Sequence, residues 1–246
     1  MKKLIYKEGL VVREPIGITN GSLTLTKCTV QHARKGVVKN HYSRKVSRNS
    51  FLSFAVNKTE GYLQLGYGMN PTKKHTISKY ITLDNHCEFD RMWLSDSLPK
   101  FSESQVIALL LSYIKQIYPN IHFIITYADE GVGNTGVIYK ATNAISLGKH
   151  KTKFYILPNG ERTHAVSLWH KYKTSTKEFL DSKGIKSQDT YQHRFLYILN
   201  KRLRKKYQEE IRQLPAGGAG SIPAFRSKHS PPKGGGGGRS RSGRVK

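Results

Sequence analysis

Apolar residues recur along this chain at two spacings, one of strands and one of helices. From Ser22 to Thr29 they alternate around Leu23 and Leu25, which predicts an early strand. Residues 29–39 read as a weak helix ending near the loop Asn40-His41-Tyr42-Ser43. The strand-like runs Phe51–Val56 and Tyr62–Gly66 flank Asn57-Lys-Thr-Glu-Gly61, a hairpin signal. Glu88–Leu94 is a further strand. Ser102-Glu-Ser-Gln105 has the form of a capping box, and Val106, Ile107, Leu110, Leu111, Ile114 and Ile117 continue at helical spacing until Pro119-Asn120. A strand at 121–127, a helix over 135–143 and a strand at 144–147 follow. Phe154–Leu157 leads into a Pro158-Asn-Gly160 turn. A strand at Phe195–Leu199 and a basic helix over 201–213 close the pattern, with Leu203, Tyr207, Ile211 and Leu214 as an inward stripe.

These elements predict one α/β (α+β) domain over residues 1–215, without internal repeats. The order hairpin, strand, long helix, strand, short helix, strand resembles the central architecture of GNAT-like acyltransferases. That resemblance implies a GNAT-like mixed sheet with splayed central strands flanked by helices. Order by itself is shared by many α/β domains.

Composition changes the picture through charge. Lys and Arg total 42 against 16 acids, a net charge of +26. A charge of that size repels itself and points to a polyanionic partner, nucleic acid above all. There is no long basic amphipathic helix with an aromatic face to suit a membrane surface, and no apolar run of the roughly 18–20 residues that span one. The opening Met-Lys-Lys-Leu-Ile-Tyr-Lys-Glu lacks the apolar stretch of a secretion signal. Cys28 and Cys87 are the only cysteines, without paired spacing, so the expected compartment is the reducing cytoplasm. Residues 216–246 hold runs of glycine, three prolines and seven basic residues with no acid, a flexible basic tail suited to salt-sensitive phosphate contact.

The chemistry concentrates in Phe123–Asp129 and the glycine-punctuated stretch after it, Glu130-Gly-Val-Gly133-Asn-Thr-Gly136-Val-Ile-Tyr139. Strand ends followed by glycine loops are where α/β folds place ligands, so Tyr127, Asp129 and Tyr139 border one crevice. Asp129 suits a general base, and it equally suits a turn before Gly131. Tyr139 at helical spacing also reads as core. His41 has an unperturbed pKa suited to proton transfer, while a His beside a Tyr is commonly a loop pair. Arg34, Lys35 and Lys39 precede the His41 loop, and Arg44, Lys45 and Arg48 follow it, placed to contact phosphates around a target base. Lys201, Arg202, Arg204, Lys205 and Lys206 extend that footprint or form a solvated face.

Asn40-His41-Tyr42-Ser43, Asp90-Arg91-Met-Trp93-Leu-Ser95-Asp96, Leu98–Ser104, Tyr127–Asn143 and the basic strand and helix after Phe195 together resemble the phage Mom family over roughly residues 35–214. Mom proteins are GNAT-related and convert adenine N6 in phage DNA to a carbamoylmethyl (acetamido) form that protects the genome from host restriction. The resemblance implies that Arg91, Ser95 and Ser104 contact acetyl-CoA or a related acyl donor. It implies that His41, Tyr42, Asp129 and Tyr139 form the catalytic set, and that the partner is double-stranded DNA with an extruded adenine. Arg91 could instead pair with Asp90 or Asp96, and Ser102 and Ser104 could simply cap their helix. Ser97-Leu-Pro-Lys-Phe stands where ordinary GNAT enzymes have a glycine-rich pyrophosphate loop, and the lysine-rich 149–153 segment is a further departure. His, Tyr and Asp are hard enough ligands for iron, but they have no metal-site spacing. No zinc-deaminase pattern and no adenine-methyltransferase motif occurs. A GNAT-like acetyltransferase of another amine and a non-enzymatic nucleic-acid binder are the rival readings, and a homodimer is left open.

Overall fold

The structure, a computed structural model, describes residues 1–7, 15–45, 49–68 and 77–212. Arg48 and the 216–246 tail lie outside the described residues. Six strands come first: β1 (Lys3–Tyr6), β2 (Pro15–Thr19), β3 (Thr24–Lys27), β4 (Ser50–Val56), β5 (Gly61–Gly66) and β6 (His86–Leu94). Four follow: β7 (Phe123–Asp129), β8 (Ile145–Ile156), β9 (Arg162–His164) and β10 (Lys186–Ile198). All ten lie in one sheet, ordered β1-β2-β3-β4-β5-β6-β7-β10-β8-β9. Among the described residues only β6 and β7 are parallel neighbours; the other pairs are antiparallel. The expected mixed α+β sheet flanked by helices is therefore what forms.

Helices cover both faces. On one, α2 (Ser102–Ile117) and α3 (Val137–Ala141) seal a core that includes Phe54, Leu63, Leu65, Ile107, Leu110 and Tyr113. Each fully buried side chain of this kind contributes about 1.5–3 kcal/mol. On the other, α1 (Val30–Asn40) packs Ala33 and Val37 on Ala55 and Tyr62. On that same face α6 (Lys201–Arg212) sets Tyr207 against Phe123, Ile125 and Leu196, and its Lys and Arg side chains up to Lys206 are exposed. Thr29 caps α1, its side chain accepting from the His32 amide at 3.1 Å.

Three expectations are corrected. The capping box of α2 does not form. Phe101 is its N-cap in the left-handed region, and Ser102 Oγ turns back to donate to Pro99 O at 2.6 Å. The strands near 144–147 and 154–157 are one strand, β8, whose lysine-rich middle pairs with β10. That stretch has no apolar alternation because both its faces are largely open, so its pattern hid it. Helices α4 (Ala165–Tyr172) and α5 (Lys177–Ser182), absent from the expected elements, close a small separate core of Tyr155, Leu168 and Ile185 over this outer arm.

One irregularity positions the site. β6 and β7 pair only over His86–Phe89 and Phe123–Thr126, then part. At that point β6 carries a bulge: Leu65 faces Phe89 and Gln64 faces Arg91, leaving Asp90 as an extra residue. A bulge bends and twists its strand. β6 thus continues with β5 and β7 continues with β10, and a gap opens between them.

Candidate active site

The gap is furnished from both faces of the sheet. From the α2 face comes Tyr139. Gly136 stands at φ 75°, and a Cβ there would lie 2.2 Å from the Phe195 ring. Glycine therefore lets α3 settle onto the core. Tyr139 then sits between Phe89 and Phe195, with ring centroids 6.4 and 5.3 Å away. Tyr139 is thus a core residue, as its spacing allows, and its hydroxyl is also hydrogen-bonded to Thr126 at the fork. Burial pushes the phenol above its usual pKa and Tyr42 adds to this, while the Thr126 bond and Arg91 oppose it.

From the α1 face come His41 and Tyr42. His41 is the C-cap of α1, its amide bonded to Val37 O at 2.9 Å. The Ser43 amide donates to His41 Nδ1 at 3.1 Å, with Ser43 Oγ 2.9 Å away. An amide donated into Nδ1 leaves the ring proton on Nε2. Burial, with the Arg91 charge in support, pulls the His41 pKa down to about 4. His41 is therefore a neutral hydrogen-bond donor. The Tyr42 ring lies over it at 4.2 Å, and Tyr42 is 59% exposed, yet the charges of Arg91, Asp129 and Arg162 act on its hydroxyl. Desolvation there raises its pKa; Arg91 and Arg162 oppose that, and Asp129 adds to it.

Arg91 is the common neighbour whose charge acts on His41, Tyr42 and Tyr139. Its guanidinium pairs with neither Asp90 nor Asp96. Nε donates to Lys45 O at 3.1 Å and Nη1 to Asp90 O at 2.6 Å, leaving N–H donors over. Asp129 joins the group through Tyr42. It forms the turn its sequence suggested, accepting from the Gly131 amide at 2.9 Å, but it is also held by Arg162 through both terminal guanidinium nitrogens. Arg162 donates as well to Gln188 at 2.9 Å and stacks 3.5 Å over Phe154. A carboxylate engaged in this way is an anchor more than a free base. Sequence reasoning missed Arg162, because no motif surrounds it and only the fold brings β9 to β7. It also missed the half-buried Glu130, which takes His193 Nε2 at 2.9 Å and Lys149 at 3.1 Å beside the glycine turn.

The remaining expected contacts are placed as follows. Arg91 lies on the α1 face, whereas Ser104 is in the first turn of α2 on the other, its hydroxyl donating to Phe101 O at 2.9 Å. Ser95 Oγ shares a 2.7 Å bond with Ser97 Oγ, beyond the far end of β6. These three are not brought together. Tyr127 shares the face of Asp129 and meets the His150 ring edge-on at 6.4 Å. Lys45 is not a free phosphate ligand: Nζ pairs with Glu161 at 2.7 Å and donates to Arg162 O at 2.8 Å. It ties the His41 loop to β9. Arg44, Lys35 and Lys39 are exposed around the same loop.

An acyl-CoA-type donor fits the gap in its chemistry. Beyond Phe89 the β6 backbone no longer pairs with β7, so an extended amide chain can lie against it, and Arg91 has donors for an anion. Iron does not fit as well. His41 Nδ1 and both Asp129 oxygens are already engaged, and no trio of His, Cys, Asp or Glu among the described residues could hold a metal.

A sheet parted between two parallel strands, with tyrosines, a histidine and an arginine gathered in the opening, is a site for group transfer. The chain belongs to the Mom protein family, whose profile matches residues 22–216. It is 30% identical over 215 residues to the protein named methylcarbamoylase mom of Escherichia phage Mu, covering 85% of this chain and 87% of that one. Similar solved structures include a probable GNAT-family acetyltransferase from Chromobacterium violaceum (TM-score 0.44, 8% identity, 75% of this chain and 86% of that one). Another is the spermidine N-acetyltransferase of Vibrio cholerae in complex with CoA and spermine (TM-score 0.44, 13% identity, 75% and 99%). No helix among the described residues is long and apolar enough to cross a membrane.

Proposed function

We propose that this chain is a phage-type DNA modification enzyme that converts adenine N6 to an N6-carbamoylmethyl form, protecting the DNA from host restriction. Membership of the Mom family supports the reading. So does the likeness to the phage Mu protein named methylcarbamoylase mom. The observation that carries it is the gathering of His41, Tyr42 and Tyr139 around Arg91 at the parted strands.

Adenine N6 is a poor nucleophile because its lone pair is delocalised into the ring, so positioning and proton transfer must make up the difference. An extruded adenine stacks on the exposed Tyr42 ring. His41, Asp129 and Tyr139 are only 7–8% exposed, so the base enters as the 41–45 loop moves. Neutral His41 donates from Nε2 to a ring nitrogen or developing oxyanion. Arg91 uses its spare N–H groups to hold the donor's anionic portion. An acyl-CoA-type donor would supply a two-carbon unit and a leaving group. Tyr139, a neutral phenol whose conjugate base is strong, gives its proton to the leaving group and regains one from N6. Asp129 orients Arg162, which with Lys45 fixes the loop. Transfer through the carbonyl would leave an acetyl amide, whereas a carbamoylmethyl group is bonded to N6 through its methylene, so that attachment and the carbamoyl nitrogen both require a further step or another donor.

The test is expression of the chain in a bacterial host, digestion of its DNA to nucleosides and mass analysis. A modified deoxyadenosine with the mass of a carbamoylmethyl adduct is expected. Unmodified deoxyadenosine alongside acetylated polyamine or protein would replace DNA with another amine.

A further inference from the structure

The α1 face of the sheet holds a row of polar side chains that the steps above leave unused. Ser53 on β4, Gln64 on β5 and Arg91 on β6 are directly opposite one another, and facing residues on paired strands project to the same side. That side is the α1 side, because Tyr62, two residues before Gln64, meets Gly36 of α1. Gln64 is 0% and Ser53 1% exposed. Yet Gln64 Oε1, Gln64 Nε2 and Ser53 Oγ all lack a hydrogen-bond partner. Native proteins rarely leave such groups so, and each instance calls for a reason. A leucine would fit that position at no polar cost. The row runs toward the gap, with Arg91 between Gln64 and the opening.

We infer that Gln64 holds the target base, its carboxamide pairing with the exocyclic amino group and adjacent ring nitrogen of the adenine. The inference rests on the DNA-adenine reading above. A carboxamide presents one acceptor and one donor side by side, the complement of the N6–H donor and ring-nitrogen acceptor of adenine. Both bonds lie in the plane of the base. The face of N6 therefore stays open to the donor, approached from the gap. Arg91, held by two backbone carbonyls, shifts from between Gln64 and the opening toward the donor's anionic portion as the 41–45 loop lifts.

Binding of short single strands carrying one adenine or one guanine among thymines tests this without any donor. Single strands remove the cost of extrusion. In Gln64→Glu, two acceptors suit guanine and repel the adenine ring nitrogen, so the adenine-to-guanine affinity ratio should fall by at least about tenfold. Gln64→Leu should lose the preference, keep or raise the melting temperature, and lower deoxyadenosine modification in cells about a hundredfold. A ratio unchanged in both variants, or modification retained in Gln64→Leu, overturns the proposal, as does loss of cooperative folding in both. Wild-type chain that leaves DNA unmodified would instead overturn the functional reading beneath it.

Discussion

Asp129 and Arg162 form a two-point ion pair between the end of β7 and strand β9. The pair is mostly buried, so removing one partner leaves a charge without its counterpart. Arg162→Ala should cost about 3 kcal/mol of stability and abolish modification as fully as Asp129→Ala. Denaturant unfolding with nucleoside analysis checks both. An Arg162→Ala protein that modifies DNA normally would return Asp129 to the role of an independent base.

His41 carries a sign for pH. Its pKa is about 4 in the folded protein, below the ordinary 6.5. The unfolded chain therefore binds the extra proton first, and stability is lost as pH falls from 6.5 toward 4. The full loss amounts to about 3 kcal/mol. Melting temperatures between pH 7 and 4 should show a decline that His41→Asn flattens. A parallel decline in both proteins would assign the titration elsewhere.

Tyr139→Phe separates packing from chemistry. The ring contacts with Phe89 and Phe195 persist, and only the bond to Thr126 is lost, worth about 1 kcal/mol. Modification should nonetheless fall by about 10²–10⁴. Full modification in this variant would remove Tyr139 from proton transfer.

Lysines around the His41 loop should differ in salt dependence. Lys35→Ala and Lys39→Ala should each weaken DNA binding and reduce the salt slope by about one. Lys45→Ala should leave the slope unchanged, because Glu161 already neutralises that ammonium. It should lower modification by freeing the loop. Equal slope changes for all three would place Lys45 on phosphate.

The sequence made the central strands legible as continuous apolar runs, because both their faces are buried, and α1 and α2 through the period of one buried face. Its glycine at 136 marked the turn that lets α3 set Tyr139 onto Phe195. What it hid has physical causes. The middle of β8 is lysine-rich, the start of β10 is polar, and both are largely open, so no alternation marks them. Arg162 acts at Asp129 across 33 residues of sequence, and nothing local announces such a pairing. Gln64 reads as one polar residue in a buried strand, and only register shows that it shares a row with Arg91.

The single surplus residue at Asp90 has an evolutionary corollary. Deleting it would keep Phe89, Arg91, Met92 and Trp93 on their present sides of the sheet while straightening the strand, so that β6 could zip up against its parallel neighbour. A sealed scaffold and one able to admit a reactant thus stand one codon apart.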